Sequence, residues 1–481
     1  MKKMNLKDTI LDIEQRCDLL NIQIRGYYFW AYNRCGIYEA FLREEQNQSL
    51  AHETLPLRKQ IHSYSKKLIN YLRWYYQIRN IKNNSEPTTI VIAHSRRVCI
   101  DGLWNSIYTD MLIPKDFNVY TFEESFLYSH YQPAASKNLI YLDHLEINSR
   151  VKYIYEKYLK KKKFLSIKDA ISEKLMPVLD EISNMTNLHV DKERILATCI
   201  KHYFIVKENL KCWDNILSKT KVERIIEVIG YSLNSMSINQ VAKKYKIPTI
   251  EIQHGMLSGI HVAYQYHPLS NPILTPDYIY TFSDYWSSEI NIPNCKKVSI
   301  GFEYFNTQRL NYPRHKDCND IIVISQGNVG RQLSEIACEL VDYIKRNNLK
   351  GNIYYKLHPG EYNSATELYP SLFANDVIKV VRNDTDLYEL FARCSIQIGY
   401  NSTAVFEGYG FNLKTFLLKN DDPFMIKLVE EHLAQFYSTP DKVFQTYDID
   451  LKNNPCDIIW KDNAKENFIK SIADISSFHK L

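Results

Sequence analysis

Short β-branched runs that stop at a polar or glycine-containing loop, then give way to a helical stretch, recur through most of this chain. Thr88–Ala93, Asn138–Asp143, Arg224–Gly230, Pro248–Ile252, Tyr278–Phe282 and Lys297–Gly301 form one series. Asp320–Ser325, Asn352–Leu357, Val377–Val381, Ile396–Gly399 and Lys414–Leu418 form a second. Apolar runs of this length suit strands buried on both faces of a parallel sheet. Helical stretches at Ser235–Tyr245, Gln332–Asn347, Asp386–Cys394 and Ser402–Tyr409 supply crossovers. The expected class is α/β, with two Rossmann-like domains facing a central cleft and ligand loops at the strand C-termini.

At about 150 residues per domain, 481 residues allow two or three. The texture divides them into an N-terminal helical segment (1–85), a first Rossmann-like domain (86–305), a second (306–460) and a C-terminal helix (461–481). Residues 303–319 are polar and aperiodic and read as the linker. The stretch 64–82 interleaves Lys66, Lys67, Arg73, Arg79 and Lys82 with Leu68, Ile69, Leu72, Trp74 and Tyr75. It reads either as a membrane-surface helix or, by preference, as a helix packing its aromatic side on the domain.

Sixty basic against 55 acidic residues leave a net charge of +5, too little for a nucleic-acid partner. The ten cysteines form no CxxC or metal-ligand spacing and read as reduced. The first residues lack the apolar core of a signal peptide, and no stretch approaches the ~20 apolar residues of a membrane span. The expected location is cytoplasmic, with peripheral contact to the inner face of the membrane.

The most informative piece is Lys356-Leu-His358-Pro359-Gly-Glu361. Proline ends the strand and restricts the residue before it, so His358 is presented at a strand's C-terminal edge. Two further exits lie in the same sheet. At Asn401-Ser402-Thr403 a strand meets a helix N-terminus, a natural anion site, with Glu407 one turn on and able to hold ribose hydroxyls. Ser325-Gln326-Gly327-Asn-Val-Gly330 fits a loop closing over phosphate. The first domain offers Gln253-His254-Gly255 after a strand, and His94-Ser-Arg96-Arg97 followed by Ile100-Asp101-Gly102. Arg96, Arg97, Gln253 and Gly255 are candidates for the acceptor or for phosphate. Asp101 is a candidate general base, with a turn role equally open to it and His254 as its rival. Asp384-Thr-Asp386 matches a DxD metal pattern but precedes a helix and reads as capping. No metal site and no cofactor beyond the donor substrate are expected.

Gln253-His254-Gly255 and His358-Pro359, with Ser402-Thr403 and Glu407-Gly408, resemble bacterial GT-B glycosyltransferases of capsule and O-antigen synthesis. The His-Pro and Ser/Thr pair is most similar to bacterial sialyltransferases and Kdo-type CMP-sugar transferases. Gln-His-Gly is also similar to CDP-glycerol and CDP-ribitol phosphotransferases of teichoic acid synthesis. The resemblance implies a GT-B fold and metal-independent transfer from a nucleotide sugar, such as a CMP-linked sialic-acid- or Kdo-like sugar, to a glycan or lipid-linked acceptor. Donor phosphate and nucleotide would meet His358, Ser402 and Thr403, with Gln326, Gly327, Lys356, Pro359 and Glu407 around them. In these families an acidic-acidic-Gly tripeptide supplies the base; here Ile100-Asp101-Gly102 lacks the first acidic residue. The runners-up are a CDP-polyol phosphotransferase and a non-catalytic assembly subunit on a transferase scaffold.

Overall fold

A computed structural model describes residues 5–46, 57–82, 86–126, 129–313, 320–375, 377–445 and 455–478. The chain divides into two compact units. Unit 1 comprises residues 1–281, 289–298 and 468–481, and unit 2 comprises 282–288 and 299–467. The N-terminal helices therefore belong to unit 1, and so does the last helix from Phe468 onward.

Unit 1 is built on strands β1 (Thr88–Ile92), β2 (Val119–Glu123), β3 (Leu139–Tyr141), β4 (Val222–Glu227), β5 (Thr249–Ile252), β6 (Tyr278–Thr281) and β7 (Lys296–Ser299). Their order across the sheet is β7-β6-β5-β4-β1-β2-β3, and the pairs from β6 to β3 are parallel. All five residues of β1 are buried, as its unbroken β-branched composition requires. Helices α1 (Leu6–Arg16), α2 (Arg34–Glu45) and α3 (Leu57–Lys82) precede the sheet. The crossover from β3 to β4 holds α4 (Asp143–Leu159), α5 (Lys161–Thr186) and α6 (Lys192–Leu217), and α7 (Leu233–Tyr245) joins β4 to β5. Trp74, Ile78 and Ile81 of α3 pack with Trp213, Ile216, Ile238, Ile90 and Phe122 in one core. A buried Arg34–Glu14 pair at 2.7 Å joins α2 to α1.

The longer piece of unit 2 opens with α8 (Glu303–Asn311), within the stretch expected to be linker. Its periodicity is weak because only Tyr304 and Phe305 are buried; 314–319 lie outside the described residues. Strands β8 (Asp320–Ile324), β9 (Ile353–Lys356), β10 (Ile378–Val381), β11 (Cys394–Gly399), β12 (Lys414–Leu417) and β13 (Gln435–Phe436) follow. They lie in the order β10-β9-β8-β11-β12-β13, every pair parallel. Helices α9 (Gly330–Arg346), α10 (Leu387–Arg393), α11 (Thr403–Tyr409) and, from Ala464 to Phe478, α12 complete the elements used below. Ile321, Val323, Leu333, Leu340, Ile353, Tyr355, Ile396 and Phe416 form the core.

Both sheets thus wind their first six strands 3-2-1-4-5-6, the doubly wound order, which confirms the two-domain Rossmann-like class. The strand order reverses at β1/β4 in unit 1 and at β8/β11 in unit 2. In such sheets ligands bind beyond the strand C-termini at that reversal. Among the described residues no helix is long and apolar enough to cross a membrane.

Candidate functional site

The reversal point of unit 2 falls between Ser325–Gly330, leaving β8, and Tyr400–Thr403, leaving β11. Gln326 Nε2 donates to Asn401 Oδ1 at 2.7 Å and so ties the two exits together. Gln326 Oε1 is buried with no hydrogen-bond partner. Gly327 is exposed, and a Cβ placed there would meet nothing within 4 Å, so its backbone is open to a ligand. Ser402 caps α11, its Oγ accepting the Ala404 N–H at 3.3 Å, and Thr403 is the first helical residue. Asn401, Ser402 and Thr403 are all half-buried.

Beside β8 lies the exit of β9. His358 caps the short turn Pro359–Glu361 and is exposed. Its Nδ1 accepts the Gly360 N–H at 3.2 Å. An accepting Nδ1 puts the proton of the neutral ring on Nε2, leaving that nitrogen a donor. Sequence reasoning missed the residue that organises this edge. Glu361 is buried and accepts from the His358 backbone N–H at 2.7 Å, the Ser325 hydroxyl at 2.9 Å and the Tyr369 hydroxyl at 2.7 Å. One carboxylate therefore joins the exits of β8 and β9. Its signal was present, since a glutamate three residues after an N-cap is the capping-box spacing. Tyr369 approaches so closely that a Cβ on Gly330 would lie 2.0 Å from its hydroxyl.

Lys356, the last residue of β9, is half-buried with Nζ 6.0 Å from the centre of the Tyr362 ring. Burial lowers its pKa, with Asp384 and Asp386 opposing. Asp386 caps α10, accepting the Tyr388 N–H at 2.8 Å, and Asp384 accepts the Arg382 N–H at 2.8 Å. Among the described residues no group of His, Cys, Asp and Glu could hold a metal ion. Glu407 corrects its expected ribose role: it is only 2% exposed, packed into unit 2 rather than open to a ligand. The short helix is enclosed on every side there, because Val405, Phe406, Gly408 and Tyr409 are buried too.

Unit 1 gathers histidines and tyrosines at its reversal point. His94 follows β1, Tyr231 follows β4 and His254 follows β5. The His94 and His254 ring centres are 5.8 Å apart. Tyr108 donates to the His254 carbonyl at 2.6 Å, and the Tyr231 hydroxyl lies 3.4 Å from His254 Nε2. Gln253 is buried and donates to the Gly255 carbonyl at 2.8 Å, folding the loop that carries His254. Burial, with His94 and His261 nearby, pushes His254 down to about 3. Burial with Arg96 and Arg97 takes His94 to about 4, and burial takes His261 to about 4. All three are neutral at pH 7. Beneath them Glu227 and Glu251 are cross-strand neighbours, and a Cβ on Gly230 would come within 2.3 Å of Glu251 and 3.2 Å of Glu227. Burial raises Glu227 to about 7; burial and Glu227's charge raise Glu251 to about 8. Glu251 Oε1 accepts from the Tyr264 hydroxyl at 2.7 Å.

Two other expectations are corrected. Asp101 does not follow a strand of the seven-stranded sheet. It forms, with Gly102, the exposed two-residue turn of a hairpin between Arg97–Ile100 and Leu103–Ser106. Both turn residues have positive φ, +50° and +76°, the combination that makes Asp-Gly a favoured hairpin turn. Arg97 is not available to a phosphate. Its fully buried side chain pairs with Glu123 and lies 3.4 Å from Asp110. Arg96 is exposed, and its backbone N–H donates to His94 Nδ1 at 2.9 Å.

No family model matches this chain, and no curated protein matches it. Among solved structures it is similar to the UDP-GlcNAc 2-epimerase from Methanocaldococcus jannaschii, at 11% identity and a TM-score of 0.47 over 81% of this chain and 100% of that one. It is also similar to UGT2 of Phytolacca americana complexed with UDP-2fluoro-glucose and pterostilbene, at 10% identity and 0.46 over 82% and 100%. A third is the wall teichoic acid polymerase TagF, at 13% identity and 0.40 over 88% and 98%.

Proposed function

We propose that the chain is a nucleotide-sugar-dependent transferase whose donor phosphate binds at the unit 2 exits, with a CMP-linked acidic sugar as donor and a bacterial surface glycan or lipid-linked precursor as acceptor. The observation that carries this reading is that three neighbouring strand exits, at and beside the strand-order reversal, carry an open glycine backbone (Gly327), a donor imidazole nitrogen (His358) and a capped helix start (Ser402, Thr403). All three suit phosphate oxygens. The buried, unpartnered Gln326 Oε1 adds an acceptor for a ligand hydroxyl or amine. Transfer of this kind is mostly electrostatic, since charge grows on the leaving phosphate and donors aimed there stabilise it.

His254 is the favoured base once Asp101 is assigned to a turn. At a pKa of about 3 it is too weak a base alone. An anionic substrate beside it would raise that value. The Gln253-His254-Gly255 exit supports, as second reading, a CDP-polyol phosphotransferase, which makes a phosphodiester instead of a glycosidic bond.

A thermal-shift panel of CMP, CDP, UDP and GDP tests the reading. Stabilisation by one nucleotide, lost in a Ser402→Ala/Thr403→Ala variant, supports it. Failure of every nucleotide to shift the melting temperature would refute it and favour a non-catalytic subunit.

A further inference from the structure

The helix α3 carries seven Lys and Arg in 26 residues and no Asp or Glu. That exceeds the net charge of +5 on the whole chain, so the other residues together are slightly acidic. Trp74, Ile78 and Ile81 face the core of unit 1. The expectation that the aromatic side of this stretch packs inward holds only for that stripe. Leu68, Ile69, Leu72, Tyr75 and Tyr76 are all more than half exposed, with Leu72 at 67% and Tyr76 at 73%.

The neighbouring helix continues the pattern. Lys67 pairs with Glu146, and Asn70 donates to Asp143 at 2.7 Å, so α3 and α4 run side by side in opposite directions. On α4, Val151, Ile154, Tyr155, Tyr158 and Leu159 are exposed at helical spacing, Leu159 at 74%. Lys157 lies 5.5 Å from the centre of the Tyr158 ring, and Lys160 lies 5.6 Å from that of Tyr155. These ammonium groups lie over aromatic rings among exposed apolar side chains, the mixture of cation, tyrosine and aliphatic chain that suits a lipid–water boundary.

We infer that this face of α3 and α4 is a docking surface for an anionic lipid bilayer. Exposed leucine, isoleucine and tyrosine enter the headgroup region while the exposed Lys66, Arg73 and Arg79 meet lipid phosphates. Charge separates this occupant from a second copy of the chain. A two-fold interface sets a patch against itself, and here that would bring together two copies of the positive helix α3, while α4, with three basic and three acidic residues, offers no net charge to offset them. Nucleic acid would use the charge but leave the leucines and isoleucines in water. This inference stands independently of the donor site in unit 2.

The test is sedimentation of the full chain with vesicles of phosphatidylcholine alone, or with about one-third phosphatidylglycerol, at low and high salt. The expected result is binding to the anionic vesicles, weakened by salt and at least about tenfold weaker on neutral ones. Each basic residue near such a surface is worth about fivefold in affinity, so Arg73→Glu/Arg79→Glu should cost roughly 25-fold or more. Leu72→Ser/Tyr76→Ser should lose binding severalfold at unchanged charge, while exposed Lys345→Glu in unit 2 should change little. These positions are exposed, so circular dichroism and the melting temperature should stay as in the parent. No binding to anionic vesicles, or binding indifferent to both double variants, would overturn the inference. So would a lipid-free dimer that Leu72→Ser/Tyr76→Ser dissolves, which assigns the face to a second copy.

Discussion

The two units wind their central six strands in one order, yet they finish the strand exits in opposite ways. Unit 2 leaves its reversal point open: Gly327 and His358 are exposed, and a single Gln326–Asn401 hydrogen bond spans it. Unit 1 fills the equivalent place with His94, His254, Tyr108 and Tyr231 and stores two protonation-prone carboxylates underneath. Topology sets where a site can be, and the exit residues decide whether it receives charge or excludes it. In unit 2 the charge would arrive with the ligand. In unit 1 burial holds the imidazoles neutral and raises both glutamates.

The largest test of this contrast strikes the residue that keeps unit 2 open in one shape. Glu361→Ala leaves three buried or half-buried donors without their acceptor, at about 1–3 kcal/mol each. A loss of at least about 3 kcal/mol in urea unfolding is expected, with Glu361→Gln intermediate; an unchanged midpoint would show that the exits do not depend on this carboxylate. Next, His358→Ala should cost ~10²-fold in transfer while stability falls by only about 1 kcal/mol, the scale of one lost cap on an otherwise exposed ring. Near-normal turnover there would remove His358 from the donor site.

Unit 1 should answer to pH instead. Glu227 and Glu251 have folded pKa values of about 7 and 8 against an ordinary 4.5. Their contribution is full below pH 4.5 and lost as pH rises toward 8, at up to about 1.4 kcal/mol per pH unit for each titrating proton. His94, His254 and His261, lowered to 3–4, act oppositely and lose stability as pH falls from 6.5. Denaturation of Glu251→Gln between pH 5 and 8 should therefore lose less stability per pH unit than the parent throughout that range, because the removed carboxyl is linked to folding from pH 4.5 to about 8. A slope as steep as the parent's would mean that Glu251 ionises normally. The smallest effect is expected from Asp101→Asn, within about 0.5 kcal/mol and near-parental turnover, since Asn-Gly suits the same turn. A large loss of turnover would restore Asp101 as the base.

The strands were readable because parallel strands buried on both faces need unbroken apolar runs, and β1 and β8 have them. His358 and Ser402 were readable because a proline and a cap mark where a strand must stop. Asp101 misled because Asp-Gly after a β-branched run signals a hairpin as strongly as a catalytic loop, and only the pairing Ile100–Leu103 decides. Arg97 could not be placed from sequence. Its partner Glu123 lies 26 residues on, at the end of another strand. Glu407 failed for a different reason: the run Val405–Tyr409 is buried on every side, and a glutamate in so short a helix reads as exposed.

Unit 1 is also discontinuous: its final piece, residues 468–481, follows all of unit 2 in the chain. That piece is anchored on β6, where the Tyr280 hydroxyl lies 2.6 Å from Ser471 Oγ and the Phe468 ring meets Tyr280 edge-on. During synthesis from N- to C-terminus, unit 2 therefore emerges complete while unit 1 still lacks the segment that covers Tyr280. Unit 1, begun first, is thus the last to gain all of its residues.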